Sequence, residues 1–169
     1  MTSTGQAGTT PGFDVREFRN ALGAFVTGVT IVATVTRDGK PIGFTCNSFS
    51  SVSLSPPLIL WSLSLRSPSL QAFLQAPHFS INVLGVDQQP LSQRFSTPIS
   101  GKFEGVEYAI GENGTPLLAG AAAHLECLNE IRHYTGDHVI FIGRVLHFSY
   151  TDAEPLVFHR GRYMALQCP

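Results

Sequence analysis

The chain has 169 residues, a formal net charge of −1, and only 14 % charged residues against 43 % hydrophobic ones. A chain this short is interpreted as one domain, and its scattered Lys and Arg argue against a nucleic-acid ligand. No apolar run reaches the roughly 18 residues of a membrane span. The polar stretch 1–12 lacks the pattern of a signal peptide and is predicted to be a flexible tail. We therefore expect one domain over residues 13–169, and the low charge favours a homo-oligomer.

The three cysteines are far apart and form no CxxC pair: Cys46, Cys127 and Cys168. This spacing is typical of thiols in a reducing cytoplasm and argues against a disulfide framework. The histidines lack the companions of a zinc site, since His133 and His138 have no acidic partner at metal spacing and no HExxH is present. His124-Leu125-Glu126 is not followed by the PCxxC of zinc deaminases. We expect no metal.

The first predicted element is a helix that begins after Asp14. The Asp14 carboxylate can cap it, and Glu17 stands three residues later in capping-box spacing. Apolar residues then recur at intervals of three and four and form one face of the helix: Val15, Phe18, Leu22 and Phe25.

A β-hairpin follows. Residues 29–36 are almost all β-branched, Asp38-Gly39 is a strong hairpin turn, and Pro41 begins the return strand at an edge or first position. Pro56-Pro57 interrupts the chain, and 58–64 is predicted as the next strand.

The middle of the chain alternates short helices and strands. Ser67-Pro68 is typical of an N-cap and first helical position, and that helix ends at Pro77. A strand is predicted at 78–84, then a helix that Asp87 caps and that runs through Phe95. Residues 97–120 are predicted to be mostly loop, with a short strand at 107–110.

Two long strands and a last hairpin complete the chain. Residues 121–134 alternate, and one side is predicted to be solvated: His124, Glu126, Glu130 and Arg132. Residues 139–150 are apolar on both sides, so the outer side should meet a helix or a second subunit. A hairpin is predicted at 156–166. Many short strands without regular β-α alternation predict a mainly β, antiparallel barrel with a few peripheral helices.

The stretch 43–69 combines apolar residues with neutral hydrogen-bonding groups: Thr45, Asn47, Ser48, Ser62, Ser64, Ser67 and Ser69. It contains neither a Walker phosphate loop nor a GxGxxG, yet a helix start at 67–69 could hold a phosphate. The combination suits a concave site with apolar walls. The alternative is a Ser/Thr-rich loop followed by an ordinary helix cap.

Two other positions could carry chemistry. His138 follows Gly136-Asp137 and could face a pocket as a donor or proton source, or simply pair with Asp137. The run 158–163 places two arginines and two aromatic rings around Gly161, which could bind a flat ring or a phosphate, or form a solvated hairpin tip. Cys46 has no identifiable base, so a packed thiol is the simpler interpretation.

Several runs, in this order and spacing, resemble the short-chain flavin reductase family, the reductase components of two-component flavin-dependent monooxygenases. The resemblance covers about residues 13–166. The matching runs are FRNALG-x-F-x-TGVT at 18–30, GFTCNSF at 43–49, SLSPPL at 53–58, FSINVL at 79–84, Phe95 with Lys102-Phe103, GDH at 136–138 and PLVFHRGRY at 155–163. Two positions depart from the family pattern: Cys46, where Ala is frequent, and Thr135, where many members have Gly.

The resemblance implies a Greek-key split β-barrel, a homodimer and a flavin, FAD or FMN, as cofactor or substrate. By motif position the flavin would contact Pro41, Ile42, Gly43, Phe44, Thr45, Asn47, Ser48, Ser62, Leu63, Ser64, Pro68, Ser69, Arg94, Phe95 and Lys102. The nicotinamide nucleotide would lie beside His138, Phe158, His159, Arg160 and Gly161.

The function predicted on this basis is transfer of hydride from NAD(P)H to flavin, with His138 as the catalytic residue and no metal. The reduced flavin would diffuse to a partner monooxygenase in the cytoplasm. NADH is favoured over NADPH because no basic cluster marks a 2′-phosphate site. One alternative is a flavin- or haem-binding carrier or sensor of similar fold without reductase activity. Another is a purely structural partner subunit.

Overall fold

The computed structural model describes residues 12–166, so the predicted tail before Gly12 and Cys168 lie outside the described residues. Most of the chain is antiparallel sheet, as predicted. The strands are β1 Thr27–Gly28, β2 Thr30–Val35, β3 Pro41–Cys46, β4 Ser50–Leu54, β5 Pro57–Ser64, β6 His78–Val83, β7 Tyr108–Ile110, β8 Pro116–Leu118, β9 Ala123–Thr135, β10 His138–Tyr150, β11 Val157–His159 and β12 Arg162–Met164.

Seven strands form the main sheet in the order β3-β2-β6-β9-β10-β5-β4. β3 and β5 stand first and sixth in that order, yet the rings of Phe44 on β3 and Trp61 on β5 lie 5.5 Å apart. The sheet therefore curls around a shared core. Trp61 is fully buried and stacks on Phe141 of β10 at 4.2 Å, and Phe73 and Phe79 meet it edge-on.

A second, smaller core joins the accessory elements to the barrel. β1, β11 and β12 form a three-stranded sheet, and β7 pairs with β8. Between them and β2 lie the buried side chains of Val29, Ile31, Leu84, Phe95, Leu118 and Leu156. This core positions the β11–β12 hairpin against the helix that carries Phe95.

In the described part of the chain three α-helices accompany the sheets: α1 Val15–Leu22, α2 Leu70–Gln75 and α3 Gln89–Ser96. In α1 the Asp14 carboxylate accepts from the N–H groups of Arg16 and Glu17, which confirms the predicted cap. No other element of residues 12–166 covers the apolar face of α1, and Phe18 and Leu22 remain 46 % and 58 % exposed. Among residues 12–166 no helix combines the length and apolarity needed to cross a membrane.

Two predicted helix starts are wrong. α2 begins at Leu70, because Pro68 and Ser69 form a turn in which the Ser67 hydroxyl accepts from the Ser69 N–H at 3.3 Å. Asp87 does not cap α3 but lies in a 3-10 turn, Val86–Gln88. Gly85 precedes this turn, and its N–H donates to the Gln88 side chain at 3.0 Å.

Three strands were missed, and one residue of a predicted solvated side is buried. β1, β4 and β8 fall in stretches that were not predicted as separate strands. Glu126 on β9 is only 5 % exposed, because the loop between β7 and β8 covers it. Its carboxylate accepts from the N–H groups of Glu112 and Asn113 at 3.2 and 2.9 Å and from the Thr115 hydroxyl at 3.3 Å.

Candidate functional site

A cavity of about 410 Å³, here called the Gly43 cavity, lies where three of the predicted flavin-contacting segments meet. One wall is the start of β3, another is the turn before α2, and the third is the loop after α3. The lining residues are Pro41, Ile42, Gly43, Pro68, Ser69, Pro98, Ile99, Ser100, Gly101, Lys102 and Phe103. These segments are distant in sequence, and the fold brings them together.

Gly43 allows β3 to lie close to α3. A Cβ at this position would stand 2.9 Å from the Phe95 ring and 3.2 Å from the Val32 carbonyl oxygen. Phe95 is fully buried and packs edge-on against Phe103 at 4.9 Å. Phe95 therefore supports the cavity from behind.

The loop after α3 is tied down by two cationic side chains. The Lys102 ammonium donates to the Phe95 carbonyl at 2.7 Å, and burial lowers the pKa of Lys102. The Arg94 guanidinium donates to the carbonyls of Gly101 and Glu104 at 3.0 and 2.5 Å. Arg94 thus shapes the loop, whereas Lys102 lies in the cavity lining.

The rest of the predicted 44–48 segment contacts protein groups rather than this cavity. Phe44 packs in the core against Trp61 and Phe73. The Thr45 hydroxyl donates to the Ser92 carbonyl at 2.6 Å, and Ser48 Oγ accepts from the Ser62 N–H at 2.9 Å. Asn47 is exposed at the end of β3.

β5 brings its predicted residues beside His138. Ser64 is the direct antiparallel partner of His138, and Leu63, which is buried, is the partner of Val139. His138 Nδ1 lies 2.6 Å from an Asp137 carboxylate oxygen. That hydrogen bond is the main reason why the pKa of Asp137 lies below its usual range. The ring is thereby oriented by its neighbour while 44 % of the side chain stays exposed.

The β11–β12 hairpin carries the other predicted nicotinamide contacts. Phe158 packs against Tyr163, and the Tyr163 phenol is hydrogen-bonded to Ser92 Oγ at 2.9 Å. Because Ser92 also binds Thr45, α3 links this hairpin to β3. No hydrogen bond or ion pair within the described residues joins the hairpin to His138.

A second cavity, of about 560 Å³ and here called the Arg160 cavity, lies at the hairpin tip. Its lining consists of Arg19, Asn20, Gly23, Arg160 and Gly161. Arg160 and Gly161 belong to the sequence prediction, but the two residues from α1 do not. The charge pattern gave no signal for them, because Arg19 and Arg160 stand 141 positions apart and become neighbours only in the fold.

The loop residues 98–101 and Phe103 were also missed as cavity lining. The signal in the sequence for this part of the lining was the Lys102-Phe103 pair, which matches the family pattern. The remainder of 97–120 shows no periodicity from which its path could be derived.

A third cavity, of about 530 Å³, lies by β7 and includes Glu112, His124, Glu126 and His147. Its polar groups bind one another or the backbone. His147 pairs with Glu112 at 3.4 Å, and His124 binds the Leu118 carbonyl at 2.8 Å. Within residues 12–166 no group of three or more His, Cys, Asp or Glu side chains is placed to hold a metal.

The Gly43 cavity suits a flavin by its chemistry. Apolar side chains and the Gly43 backbone can face a flat ring, and the Ser69 hydroxyl and Lys102 offer polar contacts in the lining. The residues present therefore fit the group that the sequence resemblance implies.

A family model described as "Flavin reductase like domain" matches residues 22–167. The chain belongs to this family. Relatives share the fold along most of the chain. A Streptomyces globisporus NADH:FAD oxidoreductase, SgcE6, solved in complex with NAD and FAD fragments, has a TM-score of 0.88 and 36 % identity, with coverage of 95 % of this chain and 98 % of that one. The predicted split barrel of the flavin reductase type is thus confirmed.

Two curated relatives are similar in sequence. The FMN reductase (NADH) SmoA of Agrobacterium fabrum is 47 % identical over 90 % of this chain and 86 % of its own length. The reductase subunit HsaB of a flavin-dependent monooxygenase from Rhodococcus jostii is 41 % identical over 91 % of this chain and 79 % of its own. Other relatives are longer, and the chain spans about half of their length.

Proposed function

We propose that this flavin reductase family member oxidises NADH, reduces FMN or FAD, and releases the reduced flavin to a separate monooxygenase. The observation that carries the proposal is the Gly43 cavity, in which three segments distant in sequence form one concave site. The names of SmoA, SgcE6 and HsaB support the donor, the acceptors and the role as a reductase component.

The flavin is assigned to the Gly43 cavity. Pro41, Ile42 and Gly43 form one side, Pro68 and Ser69 the second, and Lys102 the third. The exposed Asn47 and the β5 residues 62–64 continue the site toward His138. Phe44, Leu63, Phe95 and Arg94 act indirectly, because their side chains pack in the core or hold the loop. Thr45 and Ser48 hold β3 against α3 and β5.

The bound flavin supplies the hydride acceptor, so the chain itself needs no nucleophile. Its residues align two flat rings and keep water away from them, and this alignment contributes to the rate enhancement. His138 is assigned to the nicotinamide side. With Nδ1 held by Asp137, its Nε2 is left to contact the ligand and to hold or release a proton there.

The β11–β12 hairpin is assigned to the rest of the nicotinamide nucleotide. Phe158 offers a ring that already packs on Tyr163, and His159, Arg160 and Gly161 follow it to the hairpin tip. Arg160 adopts a positive φ of 47°, which is uncommon for a residue with a side chain and is a reason to look for a function there.

The partners are also proposed. Exposed apolar side chains on α1 and at the end of β10 support a homodimer, because solvated surfaces of this kind are more often covered by another chain. A cytoplasmic location fits a donor such as NADH and the free thiols Cys46 and Cys127.

The test is steady-state NADH consumption in air with FMN or FAD added in turn. Wild-type protein should show fast flavin-dependent turnover. His138→Ala should reduce kcat by about 10²-fold, the low end of acid–base contributions. His133→Ala, an exposed histidine on β9, is the matched control and should leave the rate unchanged.

The alternatives give other outcomes. Tight flavin binding without turnover would identify a carrier, and no flavin binding at all would favour a structural subunit. A His138→Ala enzyme with the wild-type rate would remove His138 from the mechanism while leaving the reductase activity established.

A further inference from the structure

The Arg160 cavity lies between α1 on one side and the β11–β12 hairpin tip on the other. It shares no lining residue with the Gly43 cavity. Its polar side chains are two guanidiniums and one amide, from Arg19, Arg160 and Asn20. It is therefore a separate cavity whose charge is positive.

The two elements are joined at close range. The Arg160 N–H donates to the Gly23 carbonyl at 2.9 Å. A Cβ on Gly23 would lie 3.4 Å from the Arg160 Cα and 3.3 Å from the Arg19 carbonyl oxygen, so a side chain there would crowd the junction. Arg160 and Gly161 both have positive φ, 47° and 76°, which turns the chain sharply at the tip. The backbone thus fixes Arg160 against the end of α1.

Neither arginine is neutralised by a described carboxylate. The ion pairs within residues 12–166 are Lys40–Asp38, His138–Asp137, Arg144–Glu130 and His147–Glu112. Glu17, the acidic residue of α1, accepts a long 3.4 Å hydrogen bond from Asn20 and forms no ion pair with Arg19 or Arg160. Two unpaired guanidiniums around one cavity present forked N–H donors, the geometry that matches phosphate oxygens.

We propose that Arg19 and Arg160 bind the pyrophosphate of the nicotinamide dinucleotide, with Asn20 as an additional donor. This inference rests on the proposed function and adds a residue set on α1 that the sequence patterns did not identify. The dinucleotide is preferred to the flavin phosphate because the same hairpin carries Phe158 and His159, while the flavin is assigned to the other cavity. A pyrophosphate is common to NADH and NADPH, so both should depend on the site.

The test uses Arg19→Gln in the full chain, with Arg16→Gln as the matched control, since Arg16 lies on the same exposed helix but does not line the cavity. Binding of ADP-ribose, which contains the pyrophosphate and lacks nicotinamide, is measured by titration calorimetry without flavin. Arg19→Gln should weaken ADP-ribose binding by about ten-fold or more, the effect of losing a charge-assisted hydrogen bond. Arg16→Gln should retain wild-type affinity.

Steady-state kinetics provide the second measurement. In Arg19→Gln the KM for NADH and for NADPH should rise by similar factors, whereas the KM for FMN and kcat should stay close to wild type. A rise for NADPH alone would overturn the assignment in favour of a 2′-phosphate site. Weaker FMN binding with unchanged ADP-ribose binding would move the site to the flavin phosphate, and no change in either would overturn the site.

The calorimetric result is independent of turnover. If the wild-type protein failed to oxidise NADH but bound ADP-ribose in an Arg19-dependent way, the reductase function would fail and the pyrophosphate site would stand. If it oxidised NADH rapidly while Arg19→Gln changed no affinity, the opposite would hold.

Discussion

The ammonium of Lys102 is the charged group in the Gly43 cavity lining, and it is partly buried. Burial penalises the charged form and lowers the pKa of Lys102, while the Phe95 carbonyl compensates for part of the lost hydration. An anionic group placed beside Lys102 would favour the charged form again. The residue is thus suited to bind the phosphate end of a flavin nucleotide.

Lys102→Met, which keeps most of the side chain's length and removes its charge, should weaken FMN binding by about ten-fold, as expected for one charge-assisted hydrogen bond. The affinity for riboflavin, which has no phosphate, should fall much less. Fluorescence titration without NADH measures both affinities. Lys40→Met is the control, because Lys40 is exposed and pairs with Asp38 outside the cavity. An equal loss for FMN and riboflavin would contradict the phosphate role.

The described thiols should be chemically inert in the folded protein. Cys46 and Cys127 are 6 % and 0 % exposed. Burial, aided by the nearby Glu126 charge, raises the pKa of Cys127 to about 12, and burial also raises the pKa of Cys46. Since the thiolate is the nucleophile, little of either residue is reactive at pH 8.

In a Cys168→Ser variant, a thiol reagent such as DTNB at pH 8 should therefore find almost no fast-reacting group in the native state. The same sample in guanidinium should release two equivalents, from Cys46 and Cys127. A thiol that reacts within seconds in the native state would show that one of these residues is accessible.

The loop of the β7–β8 hairpin is bound to β9 by the Glu126 carboxylate, whereas β8 itself is bound by Ser80 and Asn82 of β6. Glu126 on β9 accepts hydrogen bonds from two backbone N–H groups and one hydroxyl of the 112–115 loop. If that side chain were truncated, the loop would keep its donors, of which the Thr115 hydroxyl is buried and the two N–H groups are partly buried, but would lose their acceptor, and unsatisfied buried groups cost stability.

Glu126→Ala should lower the free energy of unfolding by about 2–4 kcal/mol, the sum of one or two buried donors left without partners. Glu126→Gln retains one acceptor oxygen, so its free energy of unfolding should fall by less. Glu130→Ala, on the same strand, removes a surface pair with Arg144 and should lose about 0–1 kcal/mol. Urea denaturation of the three variants measures the order, and an Ala variant as stable as wild type would exclude the tethering role.

Elements with local signals were predictable, and elements defined by distant contacts were not. The Asp14 cap, the Asp38-Gly39 turn and the two long strands each follow from neighbouring residues. The start of α2 was misplaced because a Ser67 turn competes with the expected cap. The alternating pattern of β9 places Glu126 on the solvated side, and the β7–β8 loop, whose path the sequence did not indicate, buries it.

The candidate site divides in the same way. The segments that line the Gly43 cavity were predicted from motif order, but which side chains face the cavity was not. Phe44 and Phe95 turn into the core, because aromatic rings bury more area there than at a cavity rim. Arg19 was missed because nothing in its own helix indicates that Arg160 lies opposite.

At the scale of the whole molecule, several aromatic side chains of the single chain are largely exposed to solvent. Phe25, Phe148 and Tyr150 are 77 %, 73 % and 75 % exposed. The outer side of β10 was predicted to meet a helix or a second subunit, and within the described chain no helix covers Phe148. These residues are the basis for the proposed homodimer.

Sedimentation velocity should therefore give a dimer for the wild-type protein at micromolar concentration. Phe148→Asp, which places a charge where an apolar contact is expected, should shift the protein to monomer, because an unpaired buried charge at an interface is strongly unfavourable. Val86→Asp, on the 3-10 turn, is the control and should remain dimeric. A wild-type monomer would remove the interpretation of these surfaces as a subunit contact.

Ser92 on α3 binds both sides of the proposed active centre, through its carbonyl to Thr45 and through its hydroxyl to Tyr163. If a ligand shifts one side, these two hydrogen bonds connect that shift to the other side. Such coupling is reciprocal in equilibrium binding, so the factor by which flavin alters the affinity for dinucleotide equals the factor by which dinucleotide alters the affinity for flavin. One coupling constant then describes both ligands, and the order in which they bind follows from their concentrations and affinities. Cooperativity between donor and acceptor would thus depend on a serine that need not contact either ligand.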